Sequence, residues 1–335
     1  MTYQNHLFTN IKNNLQAEQS LVTEIESILS VSTNSAYRRI RGDTDLTFNE
    51  SITLARHFGI SLDEVIDSLN QESINFQFQQ FDQANFGAYL NFIHEEFQSR
   101  LSFKKHITTL TAKDIPSFYF FLYPELLVFK AYYYARITWE ENVFSALPFE
   151  YLKMARIIET LVGELKPMGK KIMESYVLFP SVEIWNEYTI DGHLQHIKYA
   201  WETGYFGNKE EALLILDRTQ ELVNHIRRQA ENGKKLLAGN DKMGANYQMY
   251  YSEGMQLENT ILTNWADLQK TFIIYNTGDY LITSNDIFCK RVEAYIENMK
   301  KRSGLISKVA EKSRSRLFKS MSKKIEEVKR QIEQE

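Results

Sequence analysis

Apolar residues recur at helical spacing through the first 70 residues of the chain. Leu7, Ile11 and Leu15 fall on one face of a helix, and the apolar positions from Val22 to Leu29 form a second such face. Polar residues occupy the positions between them, so each segment has one side suited to a core. The spacing predicts short amphipathic helices in this part of the chain.

Local signals predict where these helices begin and end. Three segments start with a polar residue at N-cap spacing, and two of these have the glutamate of a capping box three positions later: Ser32, Thr47 with Glu50, and Ser61 with Glu64. Gly42 and Gly59 stand where a left-handed residue commonly ends a helix. The pattern predicts five helices in a compact bundle, which we assign to a domain over residues 1–70.

The pattern beyond residue 70 is less regular. Apolar positions from Phe86 to Phe97 have the spacing of a long amphipathic helix, and a buried helix is predicted from Pro124 onward. Residues 106–121 are rich in β-branched and aromatic residues, which is typical of a strand. Residues 147–237 have a mostly helical pattern.

Strand composition returns between residues 244 and 283, where Thr277, Gly278 and Asp279 have the sequence of a hairpin turn. We therefore expect a small antiparallel β element there. The predicted fold class is mainly α: a five-helix N-terminal bundle, then a larger and mostly helical domain over residues 71–303 that carries this β element.

The last segment, residues 304–335, is predicted to be a basic amphipathic helix. From Lys300 to Arg330 there are twelve basic and three acidic residues, a net charge of +9. Apolar residues recur at helical spacing in the same segment: Ile306, Val309, Leu317, Met321, Ile325, Val328 and Ile332. Three interpretations of the basic face stay open, namely a solvated surface, a dimer contact and an additional contact to phosphate.

Composition narrows the class of protein. The chain has 335 residues, 43% of them hydrophobic, which is enough for a sizeable core and two or three domains. Cys289 is the only cysteine, which excludes an internal disulfide and a Cys-based zinc site, and we predict an inert buried thiol. No segment has the roughly 18 apolar residues that cross a bilayer, and the N-terminus lacks a signal-peptide core. We expect a cytoplasmic protein without membrane contact.

The third helix of the bundle carries the clearest candidate chemistry. On a helical wheel, Ala36 and Ile40 face the bundle. The polar side chains face outward or flank the outer face: Thr33, Asn34, Ser35, Tyr37, Arg38, Arg39 and Arg41. A short exposed helix with amide, hydroxyl and guanidinium groups suits the major groove, where such groups bond base edges and phosphates. We predict these seven residues as DNA-binding residues.

The segments "EIESILSVSTNSAYRRIRG" and "TFNESITLARHFGISLDEVI" resemble the lambda repressor/Cro-like helix-turn-helix family. The resemblance covers residues 20–67 and implies that the recognition helix begins after a turn formed by Ser30, Val31 and Ser32. It also implies which positions contact bases: Thr33, Asn34, Ser35 and Arg38, with Tyr37 as a further one. Glu26 and Ser30 depart from the family, which usually has a small apolar residue and often Gly at these positions.

These observations predict a sequence-specific transcriptional regulator that reads double-stranded DNA with residues 33–41. We expect a homodimer formed through residues beyond 70, and an unidentified small-molecule or protein effector that acts on the C-terminal region. Charge opposes this interpretation, because residues 1–70 have five basic and nine acidic residues, a net charge of −4. The alternative is a helical interaction scaffold whose N-terminal bundle binds protein instead of DNA.

Signals for catalysis are weaker. His193 and His196 have a spacing that can bind a metal, with Glu187 and Asp191 nearby, so a metal enzyme is a third alternative, although surface histidines are favoured. The aromatic residues of 119–139 can form a core or line a pocket, and a core is favoured. The chain has no Gly-rich phosphate loop, nucleophile elbow or paired-carboxylate motif. We predict no catalytic residues, no bound metal and no cofactor.

Overall fold

The structure is a computed structural model. It describes residues 2–15, 19–67, 74–81, 86–102, 106–137, 144, 146–162, 165–237, 240–265, 268–275 and 278–335. The chain divides into two compact units. The first comprises Met1–Gln77 with Thr283–Phe288, and the second comprises Phe78–Ile282 with Cys289–Glu335.

The first unit contains five helices: α1 Tyr3–Asn14, α2 Leu21–Leu29, α3 Thr33–Arg41, α4 Phe48–His57 and α5 Leu62–Asp67. The local signals act as predicted at most of these ends. The Ser32 side chain accepts the Ser35 N–H, and Thr47 and Glu50 form a reciprocal capping box. Gly42 and Gly59 both have positive φ, as predicted. The predicted box at Ser61 depends on the Glu64 side chain, which lies outside the described residues.

The core of the first unit is small and apolar. Its buried residues come from all five of these helices and from the turn after α4: Leu7, Phe8, Ile11, Ile25, Ala36, Leu54, Ile60 and Val65. Ala36 has no exposed surface, and Ile40 is half-buried against the same cluster. This confirms the predicted inward face of α3, because the two residues lie four apart on one side of the helix.

The second unit combines a sheet with helices. Its helices are α6 Phe86–Leu101, α7 Pro124–Ile137, α8 Tyr151–Val162, α9 Leu165–Tyr176, α10 Asp191–Glu202, α11 Lys209–Asn232, α12 Asp286–Arg302 and α13 Glu311–Gln334, with a 3₁₀ helix at Ser117–Leu122. The strands are β1 Gln77–Gln79, β2 His106–Ala112, β3 Ser181–Trp185, β4 Lys234–Leu237, β5 Asn240–Tyr251, β6 Thr260–Trp265, β7 Leu268–Ile274, β8 Tyr280–Thr283 and β9 Gly304–Leu305. The buried helix predicted from Pro124 is α7.

The strands form one nine-stranded mixed sheet in the order β1-β8-β7-β6-β2-β3-β5-β4, with β9 paired to β5. At its centre β3 lies between β2 and β5 and is parallel to both. On the other side β2 pairs antiparallel with β6, and β6 pairs antiparallel with β7. The predicted fold class is therefore wrong, because a large mixed sheet replaces the small antiparallel element expected in a mainly α protein. Thr277 of the predicted hairpin turn lies outside the described residues.

The central strand β3 has no counterpart in the sequence prediction, which had assigned a helical pattern to residues 147–237. All five of its residues are buried, so its side chains do not alternate between apolar and polar. Glu183 in its middle is fully buried and interrupts the apolar run. The strand is recognisable only once its neighbours are known, since its partners lie about 70 positions away in each direction.

The C-terminal helix α13 begins at Glu311, so Ile306 and Val309 of the predicted apolar stripe precede it, and it packs against the rest of the second unit through the part of the stripe from Leu317 onward. Leu317, Met321 and Ile325 are buried in the main core cluster. Several of the basic residues in this region form salt bridges within the unit: Lys324 with Asp191, Lys329 with Asp217, Arg316 with Glu253, Lys300 with Glu297 and Arg330 with Glu327. Part of the net charge of this segment is therefore neutralised by its own unit.

Among the described helices, none combines the length and the apolar character that crossing a bilayer requires. Cys289 is buried, as predicted, and its sulfur accepts a hydrogen bond from the Thr271 hydroxyl at 3.3 Å.

Candidate functional site

The connection between α2 and α3 is a three-residue turn. Ser30 ends α2 in the left-handed conformation, with φ 51° and ψ 45°, and its N–H donates to the Glu26 carbonyl. Ser32 then caps α3 in an extended conformation. A residue other than glycine is strained at such a φ, so the turn requires a conformation that its sequence does not favour. Two short helices joined in this way are typical of a helix-turn-helix.

Glu26 and Thr33 connect these two helices. The Thr33 hydroxyl donates to the Glu26 carboxylate, with oxygen distances of 3.0 and 3.1 Å. Glu26 thus replaces the small apolar residue usual in the family with a polar contact between α2 and the first residue of α3. The contact engages the Thr33 hydroxyl, one of the predicted DNA-binding groups.

Arg39 is held by Glu50. Its Nη2 and Nε donate to Glu50 Oε1 at 2.8 and 3.2 Å, while the other carboxylate oxygen accepts the Thr47 N–H. Burial raises the pKa of Glu50, but the Thr47 N–H and the Arg39 guanidinium outweigh that effect and hold it below its usual value. Arg39 therefore connects α3 to the capped start of α4.

The remaining predicted residues differ in how free their side chains are. Arg41 lies 3.3 Å from Asp43 in an exposed ion pair, and Ser35 is half-buried against the Ser32 hydroxyl. Asn34, Tyr37 and Arg38 are exposed and, within the described part of the chain, form no salt bridge or side-chain hydrogen bond. We call these three residues the α3 outer face. They offer an amide, a phenol and a guanidinium to solvent.

The second unit contains a cavity of about 430 Å³, which no sequence motif indicated. It lies where the parallel strands β2 and β3 end, the edge at which open α/β sheets commonly bind ligands. Asp114 follows β2, Gly192 lies in the first turn of α10 after β3, and Asn259 precedes β6. A Cβ at Gly192 would collide with the Asp114 carboxylate, so the close approach of the two elements requires glycine there.

His193 and His196 also line this cavity, so the favoured interpretation of surface histidines is wrong. His193 is 2% exposed, and burial lowers its pKa well below the usual value. Burial, and to a smaller extent the positive charge of the nearby Lys130, lowers the pKa of His196 to about 3. Asp191, considered as a neighbouring ligand, instead pairs with Lys324 at 2.6 Å. Among the described residues, no group of three or more potential ligands can hold a metal ion.

The sequence left open whether the aromatic residues of 119–139 form a core or line a pocket, and the structure shows some in each place. Tyr119, Phe129 and Tyr132 are fully buried in the core. Phe120 and Tyr134 instead line the cavity. The separation follows from the helical and 3₁₀ turns, which place neighbouring residues on different sides of the backbone.

Comparison with protein-family models, with curated proteins and with solved structures gives no significant match for this chain. The resemblance to the lambda repressor/Cro-like family therefore stays a prediction from the sequence of residues 20–67.

Proposed function

We propose that the chain is a cytoplasmic, sequence-specific DNA-binding transcriptional regulator that acts as a homodimer. The observation that supports this proposal is the division of polar groups on α3. Thr33 and Arg39 bond inside the bundle and fix the position of the helix, while the α3 outer face of Asn34, Tyr37 and Arg38 is free for a partner. Amide and guanidinium groups are the side chains that bond adenine and guanine edges in the major groove.

The net charge of −4 over residues 1–70 predicts weak attraction of this unit to DNA as a whole. The local arrangement opposes this effect in part, since the Glu50 carboxylate is paired with Arg39, whereas Glu26 is bonded only to the neutral Thr33 hydroxyl. Screening limits exposed charges to a range of about 8 Å at physiological salt, so the groups nearest the phosphates dominate. Two copies on a pseudo-palindrome would double the contacted area, because dimers of this kind bind half-sites about 34 Å apart.

Selection of genomic fragments by the full-length protein tests the proposal and yields a binding site. On that site, we expect Arg38→Ala to weaken binding by about 1–3 kcal/mol and to relax the sequence preference at one position. Arg56→Ala is the matched control, because Arg56 is exposed on α4 and away from the α3 outer face. Equal losses on specific and random DNA would show that α3 does not read sequence.

The variant Arg39→Ala tests whether Arg39 contacts DNA bases or only stabilises the position of α3. Its guanidinium is 17% exposed and bonded to Glu50, so its loss should lower the stability of the first unit and leave the sequence preference unchanged. A relaxed preference in this variant, with unchanged stability, would contradict the assignment of Arg39 to support.

One observation favours the alternative of a protein-binding scaffold. Phe48, the first residue of α4, is 75% exposed, and the acidic residues Asp43 and Asp45 precede it. An exposed aromatic residue beside acidic groups suits a protein partner better than a phosphate backbone. If the scaffold proposal is correct, the fragment selection enriches no sequence, and Phe48→Ser rather than Arg38→Ala abolishes binding to the partner.

The hypothesis that the basic C-terminal segment contacts phosphate applies to the residues that remain unpaired. Lys312, Lys319 and Lys323 are exposed on α13, and none forms a salt bridge within the described part of the chain. Removing the segment would also remove buried core residues, so substitution by Gln is the sharper experiment. Each lost phosphate contact should reduce the slope of log affinity against log salt by about 0.9. An unchanged slope in the triple variant would reject this role.

A further inference from the structure

The cavity of the second unit contains a buried amine that forms no salt bridge with any residue the structure describes. Lys130 on α7 is 6% exposed, and its Nζ donates to His196 Nδ1 at 2.9 Å. The same nitrogen lies 4.8 Å from the centroid of the Phe120 ring and 5.6 Å from that of Tyr134. Among the described residues Lys130 forms no salt bridge. Its charged form is supported by the more distant Asp114 carboxylate, by the His196 imidazole and by the two aromatic rings.

The nearest acidic group of the cavity is already engaged elsewhere. Asp114 accepts a hydrogen bond from Asn259 Nδ2 at 2.9 Å and lies against Gly192 at the start of α10. Anions are stabilised near helix N-termini, so this carboxylate has partners without Lys130. Among the described residues no carboxylate lies within salt-bridge distance of Lys130 Nζ, so a position directly beside the ammonium is open to a ligand carboxylate.

A second buried group lacks a partner. The Thr219 hydroxyl donates to the Ile215 carbonyl at 2.7 Å, so the 2.9 Å contact between Thr219 Oγ1 and His193 Nε2 has the imidazole as donor. The proton of His193 is therefore on Nε2, and Nδ1 is an acceptor. That nitrogen is buried and, in the part of the chain that the structure describes, has no hydrogen-bond partner. Buried polar atoms in native proteins are rarely left in this state.

We propose that this cavity binds a small aromatic monocarboxylate, with the carboxylate paired to Lys130 and the ring packed among the aromatic walls. Phe86, Tyr89, Phe120 and Tyr134 provide those walls. A single buried ammonium matches one negative charge, whereas a phosphate dianion would need further cations. The volume of about 430 Å³ lies in the range of small-molecule pockets. No ligand contact is assigned to His193 Nδ1, because that atom has almost no surface that a water-sized molecule can reach.

Binding of this ligand should be accompanied by proton uptake. Burial lowers the pKa of Lys130 to about 7, and an anion beside it would raise that pKa again. The other titratable groups that face Lys130 are Asp114, Tyr134, His193 and His196. Both histidines have pKa values far below 7, and burial raises the pKa of Tyr134 above its usual value. Around pH 8 ligand binding should therefore draw close to one proton from solution, onto Lys130.

The experiment is calorimetric titration of the full chain with benzoate and 4-hydroxybenzoate at pH 8, in two buffers of different ionisation enthalpy. We expect both probes to bind with proton uptake, because each presents one carboxylate to Lys130. Benzamide, which has nearly the same shape but no charge, should bind at least tenfold more weakly. Absence of binding by both acids, or binding without proton uptake, overturns the proposal.

Two lysine variants test the assigned partner. Lys130→Met should weaken benzoate binding at least tenfold and abolish proton uptake. Lys113→Met is the control, since Lys113 lines the same cavity but is exposed and paired with Glu258. We expect it to change the affinity less than threefold. Equal losses of benzoate affinity in the two variants would assign the binding to general positive charge and overturn the role of Lys130. If Lys130→Met folds poorly, the proton uptake measured on the wild type still tests the proposal.

The proposed ligand binding does not depend on the proposed DNA binding. Only a regulatory effect of the ligand would rest on the proposed function. If benzoate changes the affinity for the selected DNA fragment, the cavity is the effector site of the regulator. Calorimetric binding without any DNA binding would reject the proposed function and leave the ligand site intact.

Discussion

The two units of the molecule reach their folds in different ways. In the first, a helix end is set by residues three positions apart, as in the Thr47 and Glu50 capping box. In the second, Thr108 of β2 pairs with Ser181 on one side and Thr263 on the other. The first unit therefore depends on local signals and the second on contacts between distant segments.

The units also differ in where they place charge. In the part of the first unit that the structure describes, no charged side chain is buried. The second unit buries several, including Arg100, Lys130, Glu183 and Lys235, each less than 10% exposed. A buried charge is tolerated only when its partners are present, so disruption of those partners should have larger effects in the second unit than any surface change in the first.

The largest effect is expected at Glu183. Its carboxylate accepts hydrogen bonds from the hydroxyls of Tyr119, Tyr176 and Tyr247 and from Trp185 Nε1. Glu183→Ala removes the acceptor that these donors share and the negative charge that acts on the buried Lys235, and should destabilise the second unit by about 3–5 kcal/mol. Urea unfolding followed by tryptophan fluorescence measures this unit selectively, because all four tryptophans lie between residues 139 and 265.

Glu174→Ala is the control for this comparison. Glu174 is an exposed residue on α9, paired with Lys170 at 3.9 Å, and its loss should change stability by less than about 0.5 kcal/mol. Similar unfolding midpoints for the two variants would show that the buried carboxylate is not a centre of stability.

A pH-dependent effect is expected at Lys130. Its pKa of about 7 in the folded state lies below the value of about 10.4 for an unfolded chain. The unfolded state binds more protons between these values, so this group makes folding more favourable as pH rises through that window and less favourable as pH falls. Lys130→Met removes the dependence. At pH 6 the variant should have a higher free energy of unfolding than the wild type. At pH 9 this difference should be smaller by about 2–3 kcal/mol, because the wild type gains stability as Lys130 loses its proton.

Denaturant unfolding at the two pH values, with Lys113→Met measured in parallel, checks this prediction. A stability difference between wild type and Lys130→Met that stays constant from pH 6 to pH 9 would mean that Lys130 titrates normally in the folded protein.

The smallest effects are expected at the turn of the first unit, where local chemistry acts alone. Ser32→Ala removes the cap of α3 and should destabilise the unit by about 1 kcal/mol. Ser30→Gly relieves a left-handed serine and should stabilise it by about 0.5–1 kcal/mol. Thermal unfolding followed by far-ultraviolet circular dichroism detects both shifts. If both substitutions raised or both lowered the thermal stability of the first unit, the assigned conformation of the turn would be wrong.

Local chemistry determined much of the first unit from the sequence alone. The caps at Ser32 and Thr47, the left-handed glycines and the inward face of Ala36 follow from interactions within a few residues, which any chain with this sequence would make. The sequence predicted seven DNA-binding residues on α3. The structure assigns two of them to internal contacts, because Glu26 and Glu50 come from other helices.

Only the tertiary structure decided the second unit. The strand composition near residues 244–283 was visible, but the mixed sheet was not, because a central strand buried on both faces has no alternating pattern. Glu183 and Lys130 look in the sequence like ordinary charged residues. Their burial depends on tyrosines, histidines and aromatic rings from distant segments, and no local pattern contains those distances.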